Sequence, residues 1–298
     1  MSISESHVER PMSASPDEIA TRPAGKPGPS IEDGLMGVGL LLGPANVIMQ
    51  LARPGVGYGV MESRVESGRV DRHPIKRART TFTYLAVAGH GTDSQKAAYR
   101  RAVNEVHAQV YSTDESPVKY NAFDKNLQLW VAACLYKGAV DSFRTFVGEM
   151  DAETADRHYS DGSALGTTLQ VPQEMWPADR AAFDAYWQES LAKVHIDDAV
   201  RDYLWPIAAG RMRGVKLPAA VQSRLDALNL LITTGFLPPR FRDEMQLPWD
   251  ADMQRRFDRL MAGLASVNRL LPGFVRRFPF NVLLKDLDWR VRTGRPLV

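Results

Sequence analysis

Apolar residues recur at helical spacing along most of the chain. The clearest example has spacings of 4, 3 and 4 residues, which place the side chains on one face of a helix. Its members are Tyr99, Val103, Val106 and Val110. Together with capping residues and terminating glycines and prolines, this pattern predicts helices at about residues 45–51, 74–88, 93–111, 124–146, 151–169, 177–193, 197–207, 218–234, 239–245 and 250–271. Strand alternation is absent over any useful length, so the sequence predicts an all-α fold of about ten helices.

One segment is close in length to a membrane-spanning helix. Residues 34–52 form a stretch of 19 residues without a charge. Four glycines and Pro44 interrupt it, and a lone spanning helix tolerates such residues poorly. We therefore expect a pair of buried helical segments broken at Gly43 and Pro44.

The N-terminal residues differ in composition from the rest of the chain. Residues 1–30 are polar and rich in proline, and they contain no apolar core of a signal peptide. Such a segment cannot bury enough surface to offset its ordering entropy, so we expect a disordered arm followed by one domain at residues 31–298. Without a secretion signal, the protein is predicted to be cytoplasmic.

Charge and cysteine content exclude several classes of protein. The formal net charge of +2 is not that of a protein built to bind nucleic acid. The single cysteine, Cys134, excludes an intrachain disulfide and thiolate-held clusters. No histidine has a glutamate three residues before it, which excludes the helical di-iron motif.

One histidine remains in a suggestive position. His107 lies four residues after Val103 and three before Val110, at the border of the apolar stripe. A neutral imidazole there could serve as the single axial ligand of a haem. The spacing fits equally a core histidine that is hydrogen-bonded to a neighbour, which is the simpler interpretation.

An ordered set of motifs adds a resemblance to a known family. The set spans roughly residues 40–280 and includes Leu41-Leu42-Gly43-Pro44, Gln50-Leu51-Ala52-Arg53-Pro54, Gly57-Tyr58-Gly59-Val60, Tyr120-Asn121-Ala122-Phe123-Asp124 and Gly235-Phe236-Leu237-Pro238-Pro239. In this order the motifs resemble those of the MpaB-type oxygenases, a family that includes latex-clearing protein, a bacterial rubber oxygenase.

The resemblance implies a cofactor and a reaction. It implies a helical domain of the latex-clearing-protein type that encloses haem b, with His107 in the position of the iron ligand. It also implies cleavage of carbon–carbon double bonds by dioxygen, and hence an apolar small-molecule substrate such as an isoprenoid. A family lysine and threonine on the other face of the haem correspond to Arg79 and Thr80. Because arginine stays protonated, Lys76 is the alternative sixth ligand, or that position is open or holds water.

Further site residues follow from charge and position. We expect Arg53 and Arg79 to bind haem propionates, since guanidinium groups bind carboxylates bidentately, whereas Arg77 is expected to be solvated. Glu62 is either a general base near the distal face or a surface carboxylate. The candidate catalytic residues are thus Glu62, Arg79 and Thr80, and the candidate cofactor-binding residues are Arg53, Lys76, Arg79 and His107.

Two departures from the family pattern keep other functions open. The family usually has His-Pro where this chain has Arg53-Pro54, and often a histidine where this chain has Ala132. The alternatives to an oxygenase are a haem-binding carrier or sensor without turnover and a cofactor-free helical interaction protein. Residues 276–295 carry six basic and two acidic side chains. That C-terminal segment is either a solvated end of the domain or a site of peripheral contact with an anionic membrane or a protein partner.

Overall fold

The structure is a computed structural model that describes residues 34–65, 74–211 and 217–298. The predicted arm at residues 1–30 lies outside these ranges. The described residues are helical, and their one β feature is an isolated antiparallel bridge between Tyr111 and Asn121. The prediction of an all-α fold is confirmed.

The α-helices that the structure describes run from Gly43 to Thr293. They are α1 (Gly43–Leu51), α2 (Pro54–Met61), α3 (Pro74–His90), α4 (Asp93–His107), α5 (Lys125–Phe146), α6 (Ala152–Gly162), α7 (Ala164–Thr167), α8 (Arg180–Leu191), α9 (Asp198–Ala208), α10 (Ala219–Phe236), α11 (Pro239–Glu244), α12 (Ala251–Leu270), α13 (Gly273–Arg276) and α14 (Phe280–Thr293). Short 3-10 helices span Gly37–Leu42 and Gln173–Met175.

Side-chain caps set many of the helix starts. Thr92 forms a capping box with Gln95 at the start of α4, and Asp124 accepts hydrogen bonds from two backbone N–H groups at the start of α5. Helix α4 ends at His107, four residues before the predicted end. The predicted helix at 151–169 is two helices, α6 and α7, which meet at Ser163.

Helices α2, α13 and α14 were not predicted. Three of the eight residues of α2 are glycines, which disfavour a helix on propensity alone. Packing explains them, because a Cβ at Gly57 would lie 2.7 Å from the carbonyl oxygen of Leu51. In α14 the many charges hide an apolar face that includes Phe280 and Leu287, both buried.

The uncharged segment is buried in the protein interior. It forms the 3-10 helix Gly37–Leu42 and then α1. The two helical segments were expected, but at Gly43 the 3-10 helix continues directly into the α-helix, without the expected break. Ile48 and Met49 of α1 belong to the main core. None of the described helices has the length and apolarity needed to cross a membrane.

Helix α5 is the centre of the bundle, as its uncharged sequence predicts. Trp130 and Cys134 are fully buried, and Trp130 stacks on Trp187 with ring centroids 5.2 Å apart. The amide Nδ2 of Asn46 donates a 2.7 Å hydrogen bond to the carbonyl oxygen of Cys134, which ties α1 to α5. On the other side of the molecule α14 packs along α3, and Leu287 joins Val87 in a second cluster.

Candidate functional site

A cavity of about 260 Å³ lies between α2, α3, α4 and α5 and the segment 165–171. Most of its wall is apolar and includes Val56, Val60, Val103, Val106, Val131, Leu135 and Leu169. The apolar stripe recognised in the sequence lines this cavity with Tyr99, Val103 and Val106 of α4 and with Val110, which follows the helix. A partly open apolar cavity of this size suits a small apolar ligand or part of a larger one.

His107, the last residue of α4, lines the cavity. Its Nδ1 is buried and has no hydrogen-bond partner within the described parts of the chain. Burial lowers the pKa of the imidazole to about 4, and the nearby positive charge of Arg77 acts in the same direction. The imidazole is therefore neutral at pH 7, which is the form that binds a metal.

Gln170 lies beside His107. An interaction of its side chain with the imidazole partly opposes the lowering of the histidine pKa. The amide nitrogen Nε2 of this side chain donates a hydrogen bond to Oδ1 of Asn104, which lies one turn before His107 on α4. The carbonyl oxygen Oε1 of Gln170 is buried and lacks a hydrogen-bond partner in the described ranges. Asn104 thus holds the Gln170 amide beside the imidazole of His107.

Arg77 and Thr80 bring polar groups to the cavity from α3. Burial lowers the pKa of the Arg77 guanidinium, although an arginine stays charged. The hydroxyl of Thr80 donates to the carbonyl oxygen of Arg77 at 2.9 Å, and the carbonyl oxygen of Thr80 accepts from the hydroxyl of Tyr99 at 2.5 Å. The expectation that Arg77 would be solvated is wrong, since this side chain is partly buried against the cavity.

Arg79 and Lys76 lie elsewhere on the same helix. The Nη1 atom of Arg79 is 3.6 Å from a carboxylate oxygen of Asp286, which links α3 to α14. Lys76 is exposed. Neither residue is among those that line the cavity, so the predicted contacts of these two side chains with a cofactor stay predictions.

Glu62 is linked to the cavity by a hydrogen bond from Tyr120. Its exposed carboxylate accepts hydrogen bonds of 2.7 Å from the hydroxyls of Tyr120 and Ser116. Tyr120 lines the cavity, and burial raises the pKa of its phenol, with the bond to Glu62 adding to the effect. In this structure Glu62 therefore orients Tyr120 instead of lining the cavity itself.

The two departures from the family pattern occupy different places. The guanidinium of Arg53 lies over the ring of Trp130, 4.8 Å from its centroid, outside the cavity wall. Ala132 is part of the wall and packs closely against Gly166, where an added Cβ would lie 3.1 Å from the Cβ of Ala132. Of the two departures, the one at Ala132 therefore changes the cavity wall itself.

Sequence reasoning missed three polar residues at this site. Tyr120 and Gln128 line the cavity, and Gln170 touches the histidine. The side-chain amide of Gln128 donates to the carbonyl oxygen of Ala122 at 2.6 Å, while its Oε1 is buried without a hydrogen-bond partner among the described residues. Tyr120 belonged to a motif quoted for the resemblance, whereas nothing in the local sequence marks Gln170.

Comparison with known proteins gives the family. Residues 33–266 match the family model described as "ER-bound oxygenase mpaB/B'/Rubber oxygenase, catalytic domain". The chain belongs to the mpaB/rubber oxygenase family. Nearly the whole cavity wall lies within the matched residues, whereas α14 follows them.

Relatives in this family include two uncharacterized mycobacterial proteins. One is from Mycobacterium tuberculosis and one from Mycobacterium bovis, and each is 52% identical over 259 residues, which are 87% of this chain and all of the relative. A solved structure of latex clearing protein in the closed state is similar at 16% identity with a TM-score of 0.45, over 88% of this chain and 70% of that one.

Proposed function

We propose that this member of the mpaB/rubber oxygenase family is a haem b-dependent oxygenase that acts with dioxygen on an apolar, isoprenoid-like small molecule. The observation that carries the proposal is the buried, neutral imidazole of His107, which lies beside Gln170 in the wall of an apolar cavity. Membership of an oxygenase family supports the reaction class.

The residues present fit a haem. The described residues contain no group of three or more histidine, cysteine, aspartate or glutamate side chains that could hold a bare metal ion. A haem iron needs only one protein ligand, and His107 offers a neutral ring nitrogen for it. The charge of Arg77 in the same wall suits a propionate, since guanidinium binds carboxylate strongly.

Each part of the site has a separate task. When bound, the haem supplies the oxygen chemistry. The valine and leucine wall binds the apolar substrate and excludes water. Arg77 and Thr80 place a positive charge and a hydroxyl on one side of the cavity, and Tyr120, held by Glu62, places a phenol on another. We assign Arg79 to the support of α3 through Asp286, and Lys76 to the outer surface of that helix.

A reducing compartment suits the chain. Cys134 is a buried free thiol, and burial raises its pKa well above the usual value, which keeps it unreactive. No feature of the fold depends on a disulfide. We therefore place the protein in the cytoplasm.

The absorption spectrum of the purified protein, expressed with sufficient haem supply, tests the proposal. We expect a Soret band in the wild type and its near-complete loss in His107→Ala, with the helical circular dichroism preserved. His195→Ala is the matched control, because His195 is an exposed histidine away from the cavity, and it should keep its haem. A wild-type protein without a Soret band contradicts the haem assignment and leaves a cofactor-free helical interaction protein.

A haem-binding carrier or sensor is the second candidate function. The observation in its favour is Ala132, which leaves the cavity wall without the histidine that the family often carries there. Oxygen consumption with isoprenoid substrates separates the two functions. Uptake of oxygen that depends on both haem and substrate supports the oxygenase, whereas haem binding without uptake supports the carrier or sensor.

A further inference from the structure

The connection between α12 and α14 exposes large apolar side chains. Leu270 is 85% exposed, Phe274 67% and Phe278 59%. Leu271 and Val275 are exposed between them. Soluble proteins rarely concentrate this many exposed apolar side chains in nine residues, and such a patch marks a binding surface. We call residues 270–278 the apolar loop.

The charged residues that flank the apolar loop in the sequence are all basic. No aspartate or glutamate occurs between Asp258 and Asp286, whereas five basic residues do: Arg259, Arg269, Arg276, Arg277 and Lys285. None of the ion pairs found among the described residues involves Arg269, Arg276 or Arg277. Arg269 and Arg277 are exposed, so their charges are available to an external anionic partner, whereas Nε of Arg276 is buried.

The backbone of the apolar loop is held against the domain. At Gly37 an added Cβ would overlap the carbonyl oxygen of Phe278, so the 3-10 helix Gly37–Leu42 packs directly on the loop backbone. The side chain of Asn281 donates a 3.0 Å hydrogen bond to the carbonyl oxygen of Phe274. The side chains of Leu270 and Phe274 are thus presented outward on a fixed backbone, which lowers the entropy lost when they insert elsewhere.

We propose that the apolar loop docks this protein on an anionic lipid surface. Leucine and phenylalanine side chains insert at the boundary between headgroups and acyl chains, and flanking arginines bind lipid phosphates. A second copy of the chain fits less well. In a symmetric dimer the same patch faces itself, so Arg269, Arg276 and Arg277 would meet their own copies. The proposal does not depend on the haem assignment.

Helix α14 lies between the apolar loop and the helix that forms one side of the cavity. Helix α14 starts directly after the apolar loop and packs along α3, which carries Arg77 and Thr80 of the cavity wall. An apolar substrate concentrates in a bilayer, so a protein docked on its surface meets the substrate where its local concentration is high.

Vesicle co-sedimentation of the full-length protein tests the proposal. We expect binding to vesicles of phosphatidylcholine mixed with phosphatidylglycerol, weaker binding to phosphatidylcholine alone, and loss of binding in high salt. Leu270→Ser/Phe274→Ser should lower the partition coefficient about tenfold or more, because two inserted side chains are lost. Arg269→Gln/Arg277→Gln should lower it about fivefold for each arginine. Lys119→Gln/Lys125→Gln, which removes two exposed lysines elsewhere, should bind like the wild type.

A second measurement reports insertion without loss of the patch. The native cysteine is buried, so Leu270→Cys accepts an environment-sensitive fluorophore, whose emission should shift to the blue on anionic vesicles. Equal binding to both vesicle types, or binding of the Leu270→Ser/Phe274→Ser variant at the wild-type level, overturns the proposal. So does a wild-type dimer in light scattering that this variant converts to monomer, since the patch would then join two copies.

Discussion

Gln170 lies against the imidazole of His107 while its amide nitrogen is held by Asn104. Both Nδ1 of His107 and Oε1 of Gln170 are buried and lack another hydrogen-bond partner among the described residues. Asn104 of α4 thus holds Gln170 so that its carbonyl oxygen Oε1, an acceptor, lies beside Nδ1 of His107, which can donate. Histidine ligands of metals commonly donate their second ring N–H to such a carbonyl, which fixes the ring and raises its basicity.

Replacement of Gln170 should therefore change the haem site without unfolding the protein. We expect Gln170→Leu to weaken haem affinity about tenfold, as is usual for a lost partner of a metal ligand. The reduction potential should rise, because a less basic imidazole stabilises ferric iron less. Haem titration and spectroelectrochemistry measure these quantities. Gln254→Leu, in which the lost amide accepts from Trp249 and donates to Asp258 outside the cavity wall, should change neither. Unchanged values in Gln170→Leu would show that Gln170 does not act on the histidine.

Arg77 and Arg79 should differ in what their loss affects. Arg77→Met removes the charge from the cavity wall, and we expect haem affinity to fall by about tenfold to a hundredfold, the range for a charge-assisted hydrogen bond. Arg79→Met should leave haem affinity near the wild-type value and lower the free energy of unfolding by about 0.5–1 kcal/mol. The stability loss is small because Asp286 keeps a second partner, Arg290, at 2.7 Å. Haem titration and urea unfolding of both variants test this, and the reverse pattern would assign the cofactor to Arg79.

Arg53 offers a separate test of a predicted cofactor contact. Its guanidinium lies on Trp130 in the core and outside the cavity wall. We expect Arg53→Ala to lower the free energy of unfolding by about 1–2 kcal/mol, because a partly buried cation–π contact and its packing are lost. Haem affinity per folded molecule should be unchanged. A strong loss of haem affinity at normal stability would instead assign Arg53 to the cofactor.

Asp197 should make part of the stability depend on pH. Burial raises the pKa of its carboxyl, but the backbone N–H of Val200 and the hydroxyl of Tyr58 outweigh burial and hold the pKa below its usual value. A carboxyl whose pKa is lower in the folded state stabilises the protein above its unfolded pKa of about 3.9, and this stability is lost as pH falls through the folded pKa.

The corresponding variant is Asp197→Ala. It should cost about 1–2 kcal/mol in urea unfolding at pH 7, as a lost N-cap does, and less at pH 3. Asp179→Ala is the control. It removes another N-cap, whose side chain among the described residues accepts only from the backbone N–H of Ala182, and so measures the loss of a cap without a bond like that from Tyr58 to Asp197. An equal cost for Asp197→Ala at both pH values would contradict the role of its charge.

The stripe of α4 shows what the sequence could predict. A period of about 3.6 residues is a local property, so the cavity-facing positions from Tyr99 to Val110 could be recognised without knowledge of their partners. The same rule applied to α3 places Arg77 with Thr80 and Tyr84 on one face, with Arg79 turned away. The resemblance drew attention to Arg79, whereas Arg77, which was expected to be solvated, lines the cavity.

Gln170 shows what could not be predicted. It follows α7 in a segment without helical period, and its partner Asn104 is 66 residues earlier in the chain. Such contacts depend on how helices pack, and a single sequence does not encode them locally. Helix α2 was not predicted for a related reason. Its glycines disfavour a helix, and only the packing of the folded protein, which is close at Gly57, stabilises one.

The wall of the cavity is assembled from segments between Gln50 and Val298, and no single segment contains it. The unfolded chain therefore has no affinity for the ligand, and occupancy of the cavity is linked to global unfolding. A ligand at a hundred times its Kd should stabilise the folded state by about 2.7 kcal/mol. A rise in melting temperature is thus a turnover-independent screen, through which libraries of terpenoids and other apolar compounds can be ranked before any product is known.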